Sequence, residues 1–317
     1  MRTDRGQAMQ LQRLARALCV IALAVPGMVK PSPASAEVHI FACEPEWAAL
    51  ASEIGGDVAR VYSATHGRQD PHYIRARPSL IAQVRQADLL FCSGAGLEEG
   101  WLPVLLQRGA RVTIQRDQPG HLMASEHVRM LDPPSLVDRS QGHVHAEGNP
   151  HVQLLPENIA FLATELARRL TVIDPHNAEM YRRQLSVFQE RWKDATANWM
   201  ERTSHLEGMP VVVHHEAWAY LFEWTGIKQV ASIERLPGVP PTASHLQLVL
   251  ELARNAGAVA ILRAPYEPSE GMEWLSDKAG IPIVDLPFTV GGQEGVDDLF
   301  DLFEVTITLL EEVRDQY

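Results

Sequence analysis

Three histidines fall within nine residues of the stretch GHVHAEGNPHVQL: His143, His145 and His151. Imidazole is the commonest protein metal ligand and the side chain most readily switched near neutral pH. The cluster therefore poses a choice between metal binding, proton chemistry and a solvated polar loop. Partners elsewhere in the chain bear on that choice. Asp70-Pro71-His72 and His214-His215 carry further imidazoles, and Asp285 carries a carboxylate. Three imidazoles and a carboxylate make a four-coordinate set suited to Zn2+, which accepts nitrogen and oxygen donors tetrahedrally. Mg2+ and Ca2+ call for mostly oxygen donors, and an imidazole-rich set favours Mn2+ and Fe2+ less than Zn2+. The remaining histidines, such as His39, His121, His176 and His245, match no ligand spacing.

Such residues must be positioned by elements distant in sequence, and the chain reads as two α/β lobes. Strands are expected over 38–42, 58–64, 87–92 and 111–115, with helices over 46–54, 78–86 and 97–106 between them. Breakers such as Pro119, Gly120, Pro133, Pro134, Gly142 and Gly148 make 116–150 loop-like, and helical periodicity resumes over 156–170. Asp174-Pro175 opens a helix whose apolar stripe runs through Tyr181, Leu185, Phe188, Trp192 and Trp199. Continuous to His205, that helix would be about 45 Å long at about 1.5 Å per residue, enough to brace both lobes, although two shorter helices fit the same period. The second lobe follows with strands over 211–214, 230–233, 259–263 and 281–286 and helices over 217–224, 244–255, 269–279 and 296–314. The expected fold class is α/β, two doubly wound lobes joined by a long rigid helix, with ligands bound in the interlobe cleft at the carboxyl ends of the strands. The domain reading is 1–36 as a signal peptide, 37–173 as the first lobe, 174–207 as the linking helix and 208–317 as the second lobe.

Composition narrows the function classes. A chain of 317 residues is long enough for two cores, and 40 acidic against 28 basic side chains leave a net charge of −12. That balance argues against a nucleic-acid partner, which needs a basic face. Arg2, Arg5, Arg13 and Arg16 precede the apolar run 18–25, and Ala34-Ser35-Ala36 follows, the pattern of an export signal with cleavage before Glu37. The run is too short for a permanent membrane span, so the mature chain is expected to be a soluble exported protein. Removing it takes Cys19 and leaves Cys43 and Cys92. If the first and third strands are neighbours, a disulfide between these two is geometrically reasonable, two buried free thiols being the alternative.

The succession DPHYIRARPSLIAQVRQADLLFCSGAGLE, GNPHVQLLPENIA, DPHNAEMYRRQL, VVVHHEAWAYLFEWTG and GIPIVDLP resembles the metal-binding substrate-binding proteins of bacterial ATP-binding-cassette importers, on the zinc side of that family. The resemblance covers essentially all of 37–317. It implies a metal held between two lobes by His72, His151, His215 rather than His214, and Asp285, with water taking the last place in some zinc members. Of the long histidine-rich loop that many zinc members carry, only His143, His145 and Glu147 remain, which makes the two histidines an accessory pair for passing or transiently holding metal. The function implied is non-catalytic: capture of Zn2+ as the transported ligand and delivery to an inner-membrane permease, the protein acting as a monomer, with a periplasmic metallochaperone as a further candidate partner. Two other readings compete. A secreted zinc hydrolase or hydratase would need a base such as Glu216 or Glu234 beside an open coordination place. A receptor for Mn2+, Fe2+ or a metal chelate would use the same architecture, a chelate calling for an aromatic or arginine-lined cleft.

Overall fold

Strands whose neighbours are parallel are buried on both faces, and the apolar runs of this chain are spaced for that. In the computed structural model, which describes residues 37–134, 145–236 and 238–317, β1 (Val38–Ala42), β2 (Ala59–Ser63), β3 (Leu89–Cys92) and β4 (His121–Met123) form a parallel sheet in the order β2-β1-β3-β4. Helices α1 (Pro45–Gly55), α2 (Pro78–Val84) and α3 (Leu102–Gly109) make its crossovers. Helix α4 (Pro156–Ile173) leads into α5 (Ala178–Thr203). Strands β5 (Pro210–Val213), β6 (Lys228–Ser232), β7 (Ala260–Arg263) and β8 (Ile283–Asp285) repeat the arrangement in the order β6-β5-β7-β8, with α6 (Ala219–Thr225), α7 (Ala243–Ala256), α8 (Met272–Ala279) and α9 (Leu299–Asp315).

Period-two alternation divides each strand between two cores. Val38, Ile40 and Ala42 of β1 and Val211 and Val213 of β5 face one apolar cluster that runs unbroken through both lobes and takes in α1, α4, α5 and α9. The opposite faces are covered separately. Phe41, Leu90 and Cys92 pack under α2 and α3, while Val212 and Ile261 pack under α7 and α8. Because β1 and β3 are neighbours, Cys43 and Cys92 meet, and they form a disulfide with a Cα–Cα distance of 4.8 Å.

The fourth strand of the first sheet lies later than the pattern of 111–115 suggests. Val112–Ile114 is a one-turn helix with Val112 turned to solvent. The partner that β3 selects is His121–Met123, whose three residues are all buried and which is anchored by the Leu90 N–H donating to the Gly120 carbonyl. A two-residue apolar alternation is too short to distinguish a strand from a turn, and burial against β3 decides the matter.

The linking segment is one helix of 26 residues, about 39 Å at about 1.5 Å per residue. Trp192 joins the two lobes: its indole N–H donates to the Pro156 carbonyl at the start of α4, and its ring meets Phe300 and Phe303 of α9 edge-on at 5.0 and 5.3 Å. Trp199 stacks on Phe303, and Arg202 pairs with Glu304 and Glu311. Among the described residues no helix is long and apolar enough to cross a membrane. Truncation of the buried Trp192 should remove about 3–5 kcal/mol of unfolding free energy. Urea denaturation of Trp192→Ala measures this; a loss below about 1 kcal/mol, the size of a surface change, would mean that the ring does not tie the lobes.

Candidate metal centre

Each candidate histidine sits just past the carboxyl end of a strand or at the start of a helix, where a short turn sets its direction. In the turn after β2, Asp70 caps the one-turn helix Pro71–Tyr73, its Oδ1 accepting from the His72 backbone N–H at 2.9 Å and pairing with the His72 ring Nδ1 at 2.7 Å. His151 follows Asn149-Pro150, where Asn149 Oδ1 accepts the His151 N–H at 3.1 Å while its amide donates to the Glu216 carbonyl at 2.8 Å in the other lobe. His215 lies just beyond β5 and its Nδ1 meets Glu234 Oε2 at 2.9 Å.

These three imidazoles converge. One ring nitrogen from each of His72, His151 and His215 lies within 4.8 Å of the others, and their ring centroids are 5.6 to 6.0 Å apart. His145 joins from the loop side, with its Nε2 3.3 Å from that of His72 and its Nδ1 2.9 Å from the Ala95 carbonyl. That carbonyl is presented by Gly94-Ala95-Gly96, where all three residues have positive φ. Nδ1 of His72, His145 and His215 is thus occupied by an outer acceptor. Such a bond fixes the ring orientation and leaves Nε2 as the basic nitrogen, the arrangement that metal-binding histidines require. His151 Nε2 is buried and has no hydrogen-bond partner among the described residues, an orphan that a cation would satisfy.

Protonation follows the same logic. Burial, reinforced by the neighbouring imidazoles, holds His151 well below its ordinary value, so this ring is neutral and competent to ligate. Burial also opposes charge on His215, but the Glu234 hydrogen bond and the carboxylates of Glu267, Glu234 and Asp70 outweigh it and raise the group. For Asp70 and Glu234 burial favours the neutral acid, yet the bonds to His72 and His215 prevail and hold both carboxyls below their usual range. Both are therefore ionised near neutral pH. A cavity of about 390 Å3 opens beside the rings, with Asp70, Glu234, Glu267 and Glu270 on its walls, an acidic approach for a cation.

Asp285 is not brought to this group. Its carboxylate is held by the Nε and Nη2 atoms of Arg263, its register partner across β7 and β8, and its side chain is about half exposed. A strand-end carboxylate is drawn to the nearest fixed cation, and here a guanidinium fork supplies one. His143 lies outside the described residues. His214 lines the same cavity but does not join the three-ring group, and its buried Nδ1 lies 3.6 Å from Glu267 Oε1. Glu234, the base a hydrolytic reading would need, is committed to His215, and Glu216 points out to Gln229. The outer partners Asp70 and Glu234 carry no sequence signal of their role beyond standing next to, or one strand away from, a candidate ligand.

The family described as zinc-uptake complex component A, periplasmic (ZnuA), matches residues 40–313. The manganese ABC transporter substrate-binding lipoprotein PsaA of Streptococcus pneumoniae is 24% identical over 255 residues, covering 78% of this chain and 79% of that protein. The metal ABC transporter substrate-binding lipoprotein ScbA of Streptococcus cristatus is 22% identical over 287 residues, covering 88% and 89%. Among solved structures, ZnuA aligns with a TM-score of 0.71 at 20% identity over 87% of this chain and 98% of that one. The manganese-bound periplasmic metal-binding protein from Candidatus Liberibacter asiaticus aligns with a TM-score of 0.70 at 14% identity over 87% and 100%. The shared property of these two structures and this chain is the fold of two parallel-sheet lobes.

If the outer carboxylates orient the rings, Asp70→Asn and Glu234→Gln should each weaken metal affinity by about 10–100-fold. Competition against a chromophoric chelator reads this directly, and full affinity in both variants would remove the outer partners from the description of the site.

Proposed function

The chain belongs to the family of the periplasmic component A of zinc-uptake complexes, the metal-binding substrate-binding proteins of ATP-binding-cassette importers, and on that premise we propose that it captures Zn2+ as cargo in the periplasm and presents it to a membrane permease. The observation that carries the zinc reading is the donor set. His72, His145, His151 and His215 offer nitrogen, while the nearby carboxylates of Asp70 and Glu234 are spent on orienting rings and Asp285 on Arg263. Three imidazoles with nitrogens within 4.8 Å of one another and His145 beside His72 suit tetrahedral Zn2+, whereas Mn2+ is better served by carboxylate oxygen. In this reading His145 supplies the fourth nitrogen. The proteins of this family are transporter components rather than enzymes.

Capture exchanges the hydration shell of the ion for neutral imidazoles, and the bound ion stabilises the arrangement it sits in by mass action. The acidic walls of the cavity raise the local cation concentration, and release to the permease requires only that the lobes shift enough to separate the rings contributed by each. The export signal read in 1–36 supplies the periplasmic address in this account, and a metallochaperone remains a partner to be sought by its effect on zinc loading.

Zinc affinity should fall in His72→Ala and His215→Ala by more than the loss from removing an outer partner, about 10–100-fold, while Asp285→Ala stays within about twofold of the parent. Protein recovered from medium balanced in Zn2+ and Mn2+ should contain zinc by elemental analysis. Recovery of manganese, or an Asp285→Ala defect as large as that of His72→Ala, would overturn the assignment.

The pH dependence has a definite sign. A protonated imidazole cannot ligate, so protons compete with the ion, and at His215, raised by its hydrogen bond to Glu234, that competition sets in at higher pH than for an ordinary imidazole. Affinity should therefore decline from about pH 8 to pH 5, across the imidazole range. Glu234→Gln should move the midpoint of that decline downward, which a chelator competition repeated over pH would reveal.

A further inference from the structure

The loop between β3 and α3, residues 93–101, backs two rings of the histidine cluster. On one side the Ala95 carbonyl meets His145 Nδ1 at 2.9 Å. On the other, the fully buried Trp101 donates its indole N–H at 3.0 Å to the carbonyl of Pro71, in the one-turn helix that carries His72. The Nε2 atoms of these two histidines lie 3.3 Å apart, so both partners of that close approach lean on the same loop.

The conformation that presents the Ala95 carbonyl has to be imposed. Gly94, Ala95 and Gly96 have φ of 80°, 49° and 82°, and for alanine this left-handed region is disfavoured unless its surroundings hold it there. Glu98 does the holding. Its side chain, 3% exposed, reaches back to the root of the loop, where Oε1 accepts from the Ser93 N–H at 2.8 Å and the Gly94 N–H at 3.2 Å, and Oε2 from the Gly94 N–H at 3.1 Å. Its backbone carbonyl accepts from the Trp101 and Leu102 N–H groups at 3.1 and 2.9 Å, which starts α3. Glu44 shares a further hydrogen bond with the Glu98 carboxyl. Ser93 is itself fixed, its hydroxyl by the Trp47 indole and its carbonyl by the Ser125 N–H, each at 2.9 Å. A Cβ on Gly94 would lie 2.4 Å from Ser125 Oγ, so the turn is closely enclosed.

We propose that Glu98 is a positioning residue for metal selection, clamping the Gly94-Ala95-Gly96 turn so that the Ala95 carbonyl directs His145 to the centre as its fourth nitrogen. Without the clamp the centre falls back on His72, His151 and His215, with one place left to water or a carboxylate. Such a set discriminates less between Zn2+ and Mn2+. Glu98 touches neither the ion nor a ligand ring; it acts two hydrogen bonds away, through the backbone. The inference rests on the zinc reading above and deepens it by naming what makes His145 a ligand.

The test combines chelator competition for Zn2+ and Mn2+ with the visible spectrum of the Co2+-loaded protein, whose absorption is strong in a tetrahedral site and weak in an octahedral one. Glu98→Ala should weaken Zn2+ by about tenfold or more, narrow the ratio of Zn2+ to Mn2+ affinity, and give the Co2+ spectrum of His145→Ala. In a His145→Ala background the same change should cost no more than about twofold, because the interaction it serves is already gone, whereas a merely structural loss adds in full in both backgrounds. Glu98→Gln keeps the length and an oxygen for both N–H groups, and should restore the parent affinity and spectrum. Where Glu98→Ala does not fold, Glu98→Asp, one methylene short of those groups, is read in its place. Equal losses in the two backgrounds, or a loss in Glu98→Gln as large as in Glu98→Ala, overturn the positioning role and leave the zinc reading standing. Parent affinity and spectrum in His145→Ala itself overturn the fourth nitrogen, and the proposal with it.

Discussion

An imidazole ligates only through an unprotonated nitrogen, and the surroundings of the cluster serve to keep that nitrogen basic, neutral and aimed inward. Asp70, Glu234 and the Ala95 carbonyl each occupy the Nδ1 of one ring, and burial together with neighbouring rings keeps His151 neutral. The two carboxylates contribute charge one bond removed from the ion, so the donor set stays nitrogen-rich while the field at the centre stays negative. In the zinc reading proposed above, this division of labour is what would favour a borderline-soft ion over a hard one.

The rings converge only because the two sheets share one core. Residues His72 and His151 come from the first lobe and His215 from the second, so their spacing is an interlobe distance. Trp192 and Trp199 seat α5 against α4 and α9, and one apolar cluster runs unbroken between the lobes. Close packing of that kind permits small rocking and resists wide separation. Cross-lobe bonds from Asn149 to Glu216 and from Gln153 to Phe288 lie next to His151, and Gly67 packs so tightly on the Gly291 and Gly292 backbone that a Cβ there would lie 2.3 Å from it.

The carboxyl edge of the first sheet carries a disulfide and a set of buried carboxylates side by side. Cys43 and Cys92 tie β1 to β3 where Glu44 and Ser93 emerge, which fixes the backbone from which the buried carboxylates are hung.

The sequence by itself determined the α/β class, seven of the eight strands and the apolar stripe of the linking helix, because these rest on local periodicity, whereas the choice of His72, His151 and His215 rather than His214 rests on the family resemblance together with strand ends that the fold brings to one edge. Only the tertiary structure decided between 111–115 and His121–Met123 as the edge strand, since a short apolar alternation becomes a strand only where a neighbour offers hydrogen bonds. The same holds at the site. Asp285 has the right chemistry for a ligand and the right place at a strand end, but the Arg263 guanidinium beside it in register captures the carboxylate. His145 has no fixed spacing from the others, and its approach to His72 depends on a carbonyl offered by a loop 50 residues earlier. Spacing along a chain identifies which residues are able to ligate; competition among neighbours in space settles which of them are free to do so.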